Sequence, residues 1–92
     1  MIMAQKGNLE VWWVTQYSRR KENVRIPVKD IREATSILME YTNRDLDDNM
    51  VEWNAGGLEV FDGEEWIEWY DDKGNDIYTL MDEGLDDVYK TT

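Results

Sequence analysis

The alternation of apolar and polar positions predicts two strands early in the chain. Residues 9–17, LEVWWVTQY, are rich in β-branched and aromatic side chains and contain no Gly or Pro, which is typical of a strand. Trp12 and Trp13 are adjacent and must point to opposite faces, so this strand is apolar on both faces and belongs in the middle of a sheet. Residues 24–28, VRIPV, also alternate, and Pro27 favours an edge position because proline donates no ladder hydrogen bond.

Helical spacing of apolar residues predicts one helix after VRIPV. Asp30 can cap its first turn, and Glu33, three residues on, completes a capping box. The side chains that fall on one face of this helix are Ile31, Ala34, Leu38 and Tyr41, with Ile37 beside them. We therefore expect an amphipathic helix of about fifteen residues packed on one face of the sheet.

The second half of the chain predicts a hairpin around Asp62-Gly63. An Asp-Gly pair between alternating strands favours a two-residue turn, which would place Phe61 opposite Glu64. One face of this hairpin would carry Leu58, Val60, Ile67 and Trp69. The other face would carry Glu59, Phe61, Glu64, Trp66, Glu68 and Tyr70. The two faces differ in character because side chains alternate along each strand.

These elements predict a single α+β domain over residues 1–92, in the order β-β-α-β-β. An antiparallel sheet of four or five strands would carry one amphipathic helix on one face. DDKGND, residues 71–76, is a second turn, residues 77–81 are a further strand, and residues 82–92 form either a short helix or a loose tail. The predicted core comprises Val11, Trp13, Val24, Ile26, Ile31, Ala34, Leu38, Tyr41, Leu58, Val60, Ile67 and Trp69.

Composition argues against catalysis. The chain has no Cys and no His, so it lacks thiolate zinc ligands and the commonest catalytic bases and nucleophiles. We expect a protein that is not an enzyme and that uses no metal or cofactor. No apolar run approaches the roughly 20 residues that span a bilayer, and the first residues do not resemble a signal peptide. We therefore expect a cytoplasmic protein with no membrane partner.

Charge is large and unevenly distributed along the chain. The net charge is −11, with a balance of +4 over residues 1–32 and −15 over residues 33–92. Such a molecule repels nucleic acid and anionic membranes over most of its surface, and it is steered toward basic protein surfaces. The expected partner is therefore the basic surface of a nucleic-acid-processing protein and not nucleic acid itself.

The strongest candidate interface is the acidic and aromatic stretch at residues 56–76, where four aromatic residues and eight acids accompany one lysine. Aromatic side chains supply contact area, and carboxylates pair with Arg and Lys of a partner. The predicted partner-binding residues are Glu59, Phe61, Glu64, Trp66, Glu68, Tyr70, Asp71 and Asp72. An alternative is that a second layer covers this face and that its aromatics are core.

The acids also suggest phosphate mimicry, because a protein that competes for a DNA site must present many carboxylates at close spacing. The acids that would contribute to such a surface are Asp45, Asp47, Asp48, Glu52, Glu59, Asp62, Glu64, Glu65, Glu68, Asp71, Asp72 and Asp76. The alternative is that these acids serve solubility alone.

The basic segment SRRKENVR supports two other hypotheses. Arg19, Arg20 and Arg25 are candidate phosphate ligands for a nucleotide second messenger, with Trp12 or Trp53 stacked on its base. The protein would then be a sponge that sequesters the messenger. Alternatively, the basic loop of one copy meets the acidic hairpin of another in a homo-oligomer with a structural or regulatory role.

The motif GGLEV, an acidic turn, EW-x-EW-x-D and then G-x-D-I resembles a group of small acidic proteins of bacteriophages and other mobile elements. The LEVWW strand and the IPV-x-D-[hydrophobic] start of the helix are also similar. The resemblance implies a phage or integrated element inside a bacterial host. The leading hypothesis is a stoichiometric inhibitor of a bacterial nuclease defence, of the anti-CRISPR or antirestriction type.

Overall fold

The structure is a computed structural model that describes residues 4–82. Its strands are β1 (Leu9–Tyr17), β2 (Lys21–Val28), β3 (Val51–Phe61) and β4 (Trp66–Glu68), and its helices are α1 (Ile31–Leu46) and α2 (Ile77–Asp82). The strands form one antiparallel sheet in the order β2-β1-β3-β4. The α+β prediction is confirmed, and so are the central position of β1 and the edge position of the strand that contains Pro27.

Helix α1 begins as its sequence predicts. The Asp30 carboxylate accepts the backbone N–H of Glu33 at 2.8 Å, and the Glu33 carboxylate accepts the backbone N–H of Lys29 at 2.8 Å. The first bond satisfies a donor that the first turn leaves without a helical partner, and the second fixes the residue before the N-cap. Ala34 and Leu38 are fully buried against the sheet, so α1 lies on the face of β1 that carries Trp13.

The hydrophobic core lies between the sheet and the two helices. Its buried apolar side chains are Val11, Trp13, Val28, Ala34, Leu38, Leu58, Ile77 and Leu80. Trp13 stacks on Tyr41 of α1 with ring centroids 5.7 Å apart. The core assignment of Ile67 is wrong, because this residue is 40% exposed. It lies on β4, a three-residue edge strand with a neighbouring strand on one side only.

The predicted two-residue turn between β3 and β4 is also wrong. The turn has four residues, 62–65, and the Asp62 carboxylate accepts the backbone N–H groups of Glu64 and Glu65, both at 2.8 Å. Only Gly63 has positive φ, at 107°, whereas the tight turn that the Asp-Gly pair suggests needs positive φ at both residues. The side chain of Asp62 therefore favours the longer turn.

The longer turn changes the register of the hairpin by two residues. Phe61 pairs with Trp66 and Glu59 pairs with Glu68. Because side chains alternate with a period of two, a shift of two returns each strand residue to its predicted face.

Residues 77–81 form most of α2 and not a further strand. The Asp76 carboxylate accepts the backbone N–H of Thr79 at 2.8 Å and its hydroxyl at 2.9 Å, which caps the helix. Ile77, Leu80 and Met81 follow helical spacing, and the first two are buried. Apart from Asp82, which ends α2, the predicted tail lies outside the described residues.

Candidate functional site

The face of the sheet opposite the helices is the candidate site. Strand alternation and the observed pairing place on it Glu10, Trp12, Val14 and Gln16 of β1, Lys21, Asn23, Arg25 and Pro27 of β2, Trp53, Ala55, Gly57, Glu59 and Phe61 of β3, and Trp66 and Glu68 of β4. We call this surface the open face, because no helix or strand within residues 4–82 covers it.

Aromatic side chains occupy both ends of the open face. Phe61 and Trp66 pack on each other with ring centroids 5.4 Å apart and planes tilted by 55°. Both are half-buried, and neither belongs to the hydrophobic core. Trp53, toward the other end of β3, is 49% exposed. The open face therefore offers aromatic contact area outside the hydrophobic core.

Two acids of the open face pair with an arginine of the same face. The Arg25 guanidinium lies 2.7 Å from a Glu59 carboxylate oxygen and 3.6 Å from one of Glu10. The hydrogen bond with Glu59, together with the charges of both acids, outweighs burial and raises the pKa of Arg25. Because the Arg25 side chain is 53% exposed, this pair stabilises the fold by only about 0–1 kcal/mol. Breaking this ion pair therefore costs the fold little stability.

Four of the eight predicted partner-binding residues share the open face: Glu59, Phe61, Trp66 and Glu68. Glu64 lies in the adjoining β3–β4 turn. Tyr70, Asp71 and Asp72 follow β4 in the segment that leads to α2. Tyr70 is 53% exposed, and a hydrogen bond with the Glu68 carboxylate raises its pKa.

The acidic turns keep their negative charge. In the turn after β3, backbone N–H groups of Glu65 and Glu64 lower the pKa of Asp62. In the segment before α2, the backbone N–H of Asn75 is the main cause of the lowered pKa of Asp71. Each carboxylate therefore shapes its turn and remains ionised, which adds negative charge beside the open face.

The three predicted phosphate-binding arginines do not form one cluster. Arg19 and Arg20 lie in the β1–β2 turn, where the Arg20 guanidinium stacks 4.1 Å from the centre of the Tyr17 ring. Arg25 is four residues beyond Lys21 along β2, or about 13 Å at strand spacing. Its guanidinium is held by the two glutamates described above.

Asp45 has a structural role that the sequence did not indicate. It is 5% exposed, and one carboxylate oxygen accepts hydrogen bonds from Trp13 Nε1 at 3.0 Å, Thr15 Oγ1 at 2.8 Å and Asn54 Nδ2 at 3.0 Å. The other oxygen accepts Arg44 Nε at 3.0 Å. Asp45 therefore fastens α1 to β1 and β3. The prediction that Asp45 contributes to a phosphate-mimicking surface is wrong, because its carboxylate is buried and cannot contact a partner.

These hydrogen bonds also set the charge state of Asp45. Burial acts to raise the pKa of this carboxyl group, but hydrogen bonds from Asn54, Trp13, Thr15 and Arg44 outweigh it and hold the pKa below its usual value. Hydrogen bonds to the ionised form favour that form, so the group is a buried carboxylate at neutral pH.

Neither a metal centre nor a membrane span is found in the described part of the chain. Within residues 4–82 no three acidic side chains come together closely enough to hold a metal ion. None of the described helices is long and apolar enough to cross a membrane. No protein-family model, curated protein or solved structure matches the chain.

Proposed function

We propose that this protein is a stoichiometric inhibitor of a bacterial nuclease defence, of the anti-CRISPR or antirestriction type, made by a phage or mobile element. Its open face and the adjoining acidic turns would occupy a basic nucleic-acid groove on the target. The observation that carries the proposal is an aromatic sheet face, flanked by acidic turns, that no described helix or strand covers.

The chemistry of the open face fits a basic protein groove. Carboxylates steer the encounter with a positively charged surface and raise the association rate. The half-buried Phe61–Trp66 pair then supplies apolar contact area that slows dissociation. The resemblance to small acidic phage proteins supplies the bacterial setting, and the role requires no catalytic group.

The nucleotide-sponge hypothesis has less support. A phosphate site needs several cations that converge on one group, whereas Arg25 lies far along β2 from Arg19 and Arg20 in the β1–β2 turn. The oligomer hypothesis predicts that high salt dissociates the assembly, because screening weakens the attraction between a basic loop and an acidic hairpin.

Capture and displacement together test the proposal. The tagged protein is mixed with nuclease-treated lysate of a bacterial host, and the bound proteins are released by rising salt and identified by mass spectrometry. We expect a nucleic-acid enzyme that loses its nucleic acid when one equivalent of the protein is added. Glu68→Lys should weaken both capture and displacement. The matched control is Glu40→Lys, because Glu40 is exposed on α1, away from the open face.

Equal capture by the two variants would contradict the proposal, as would an enzyme that keeps its nucleic acid in the presence of excess protein. A bound nucleotide without a protein partner would instead assign the function to the basic loop.

A further inference from the structure

A cleft of about 300 Å³ lies where β4 has ended and α2 begins, beside the outer edge of β3. It is lined by Trp12, Gly56, Gly57, Leu58, Glu59, Glu68, Trp69, Asp76, Ile77 and Tyr78. Three of these residues are aromatic, three are acidic and none is basic. The cleft opens beside the open face, because Trp12, Gly57, Glu59 and Glu68 belong to both.

The glycines of β3 make room for the aromatic walls. A Cβ added at Gly57 would lie 2.9 Å from the indole nitrogen of Trp12, so the Trp12 ring lies directly over this residue. Tyr78 is fixed by its hydroxyl, which donates to the Gly56 carbonyl oxygen at 2.7 Å. The Trp69 backbone N–H donates to the Leu58 carbonyl oxygen at 3.0 Å. Each of these bonds fixes a wall of the cleft to β3.

No described ring or cation stacks on the aromatic walls of the cleft. In the part of the chain that the structure describes, the rings of Trp12, Trp69 and Tyr78 stack neither on another ring nor under a cation. Over the same residues, Glu68 and Asp76 form no ion pair, although Glu59 is paired with Arg25. The cleft therefore combines aromatic walls with two carboxylates, of Glu68 and Asp76, that no described cation neutralises.

We propose that this cleft receives the guanidinium group of an arginine from the partner protein. A planar guanidinium stacks on aromatic rings and pairs with carboxylates at its edge, which suits these walls better than a lysine ammonium does. A volume at the lower limit of ligand sites suits one side chain better than a nucleotide. The inference rests on the proposed function, because a basic groove is where such an arginine is found.

Nuclear magnetic resonance with a defined probe tests the cleft directly. The probe is N-acetyl-arginine amide, and the neutral N-acetyl-citrulline amide of similar shape is its control. We expect saturable shifts of the Trp12 and Trp69 indole N–H signals with the arginine amide only. The Trp13 signal should stay in place, because Trp13 is buried in the core. The lysine amide should bind more weakly than the arginine amide.

Two variants show whether the walls and charges of the cleft hold the probe. Glu68→Gln should lower the affinity for the arginine amide about two- to fivefold, which is the range for one partly exposed ion pair. The control Glu40→Gln on α1 should leave this affinity unchanged. Tyr78→Leu removes an aromatic wall and should also lower the affinity for the arginine amide. A thermal melt checks that this variant is folded. Equal affinity in all variants, or equal shifts with the citrulline amide, would overturn the inference.

The outcomes separate this inference from the proposed function. If the arginine amide shifts neither indole signal while the protein still displaces nucleic acid from a captured enzyme, the cleft assignment is wrong and the proposed function stands. If the amide binds in the cleft but the protein displaces nucleic acid from no captured enzyme, the cation site stands and the proposed function is wrong.

Discussion

Replacing Asp45 by asparagine should destabilise the protein strongly, although the substitution preserves the shape of the side chain. The Asp45 side chain is 1% exposed, and its two oxygens accept hydrogen bonds from donors on opposite sides. An amide has one oxygen and one NH₂ group, so its NH₂ must face either Arg44 or the donors of Trp13 and Asn54. If the NH₂ faces Arg44, this partly exposed guanidinium loses an acceptor and meets another donor. If the NH₂ faces the sheet, the buried donors of Trp13 and Thr15 lose this acceptor.

The magnitude follows from those lost bonds. A hydrogen bond to a charged group contributes about 1.5–3 kcal/mol, and a buried donor left unsatisfied costs about 1–3 kcal/mol. Because Arg44 is partly exposed and keeps Glu22 as a partner at 2.8 Å, we expect the lower part of the combined range, about 2.5–4 kcal/mol. For a domain of this length that lowers the melting temperature by roughly 10–30 °C.

Urea unfolding followed by tryptophan fluorescence measures the change at neutral pH. The matched control is Asp47→Asn, two residues further along at the end of α1, where the side chain is exposed and the expected change is within about 0.5 kcal/mol. If Asp45→Asn were as stable as Asp47→Asn, Asp45 would not fasten α1 to the sheet and the reasoning would be refuted.

The pH dependence provides a second readout for Asp45. A carboxyl group whose folded pKa is lowered stabilises the protein above its unfolded pKa, and this contribution is lost as the pH falls through the folded pKa. The free energies of unfolding of wild type and Asp45→Asn should therefore converge on acidification. A difference that stayed constant into strong acid would contradict the lowered pKa of Asp45.

Three further predictions concern the sheet. Trp66→Ala should weaken partner capture while a thermal melt stays cooperative, because Trp66 lies outside the core; loss of that melt would show a core role instead. Gly56→Ala should cost about 1–3 kcal/mol in urea unfolding, because its Cβ would overlap the Trp13 ring and lie 2.9 Å from the Trp12 carbonyl oxygen; wild-type stability would contradict that packing. Arg25→Gln should strengthen capture at low salt by unmasking two acids, whereas the sponge hypothesis predicts that it abolishes nucleotide binding.

Much of the fold follows from local sequence signals. Adjacent Trp12 and Trp13 require two apolar faces and hence a central strand, and the Asp30-x-x-Glu33 spacing marks the start of α1. The spacing of Ile77, Leu80 and Met81 is that of a helix, but the composition of residues 77–81 also suits a strand, so the sequence alone does not decide between them. The capping bond that the Thr79 backbone N–H donates to the Asp76 carboxylate favours the helix.

The contacts that define the candidate site depend on distant parts of the chain. Asp45 resembles the solvated acids beside it, and its partner Thr15 is 30 positions away. The cleft draws its lining from β1, β3, β4 and α2, so no sequence motif contains it. Sequence alternation did predict that Glu59, Phe61, Trp66 and Glu68 share a face, because alternation depends only on local backbone geometry.

The central claim is that the open face occupies a nucleic-acid groove, and a displacement titration tests it most directly. A captured enzyme is bound to fluorescently labelled nucleic acid, and wild type, Glu59→Lys/Glu68→Lys and Arg19→Glu/Arg20→Glu are each added. We predict that wild type and the arginine variant release the nucleic acid at about one equivalent, and that the glutamate variant does not. Release by the glutamate variant, with none by the arginine variant, would contradict the account and assign the activity to the β1–β2 turn.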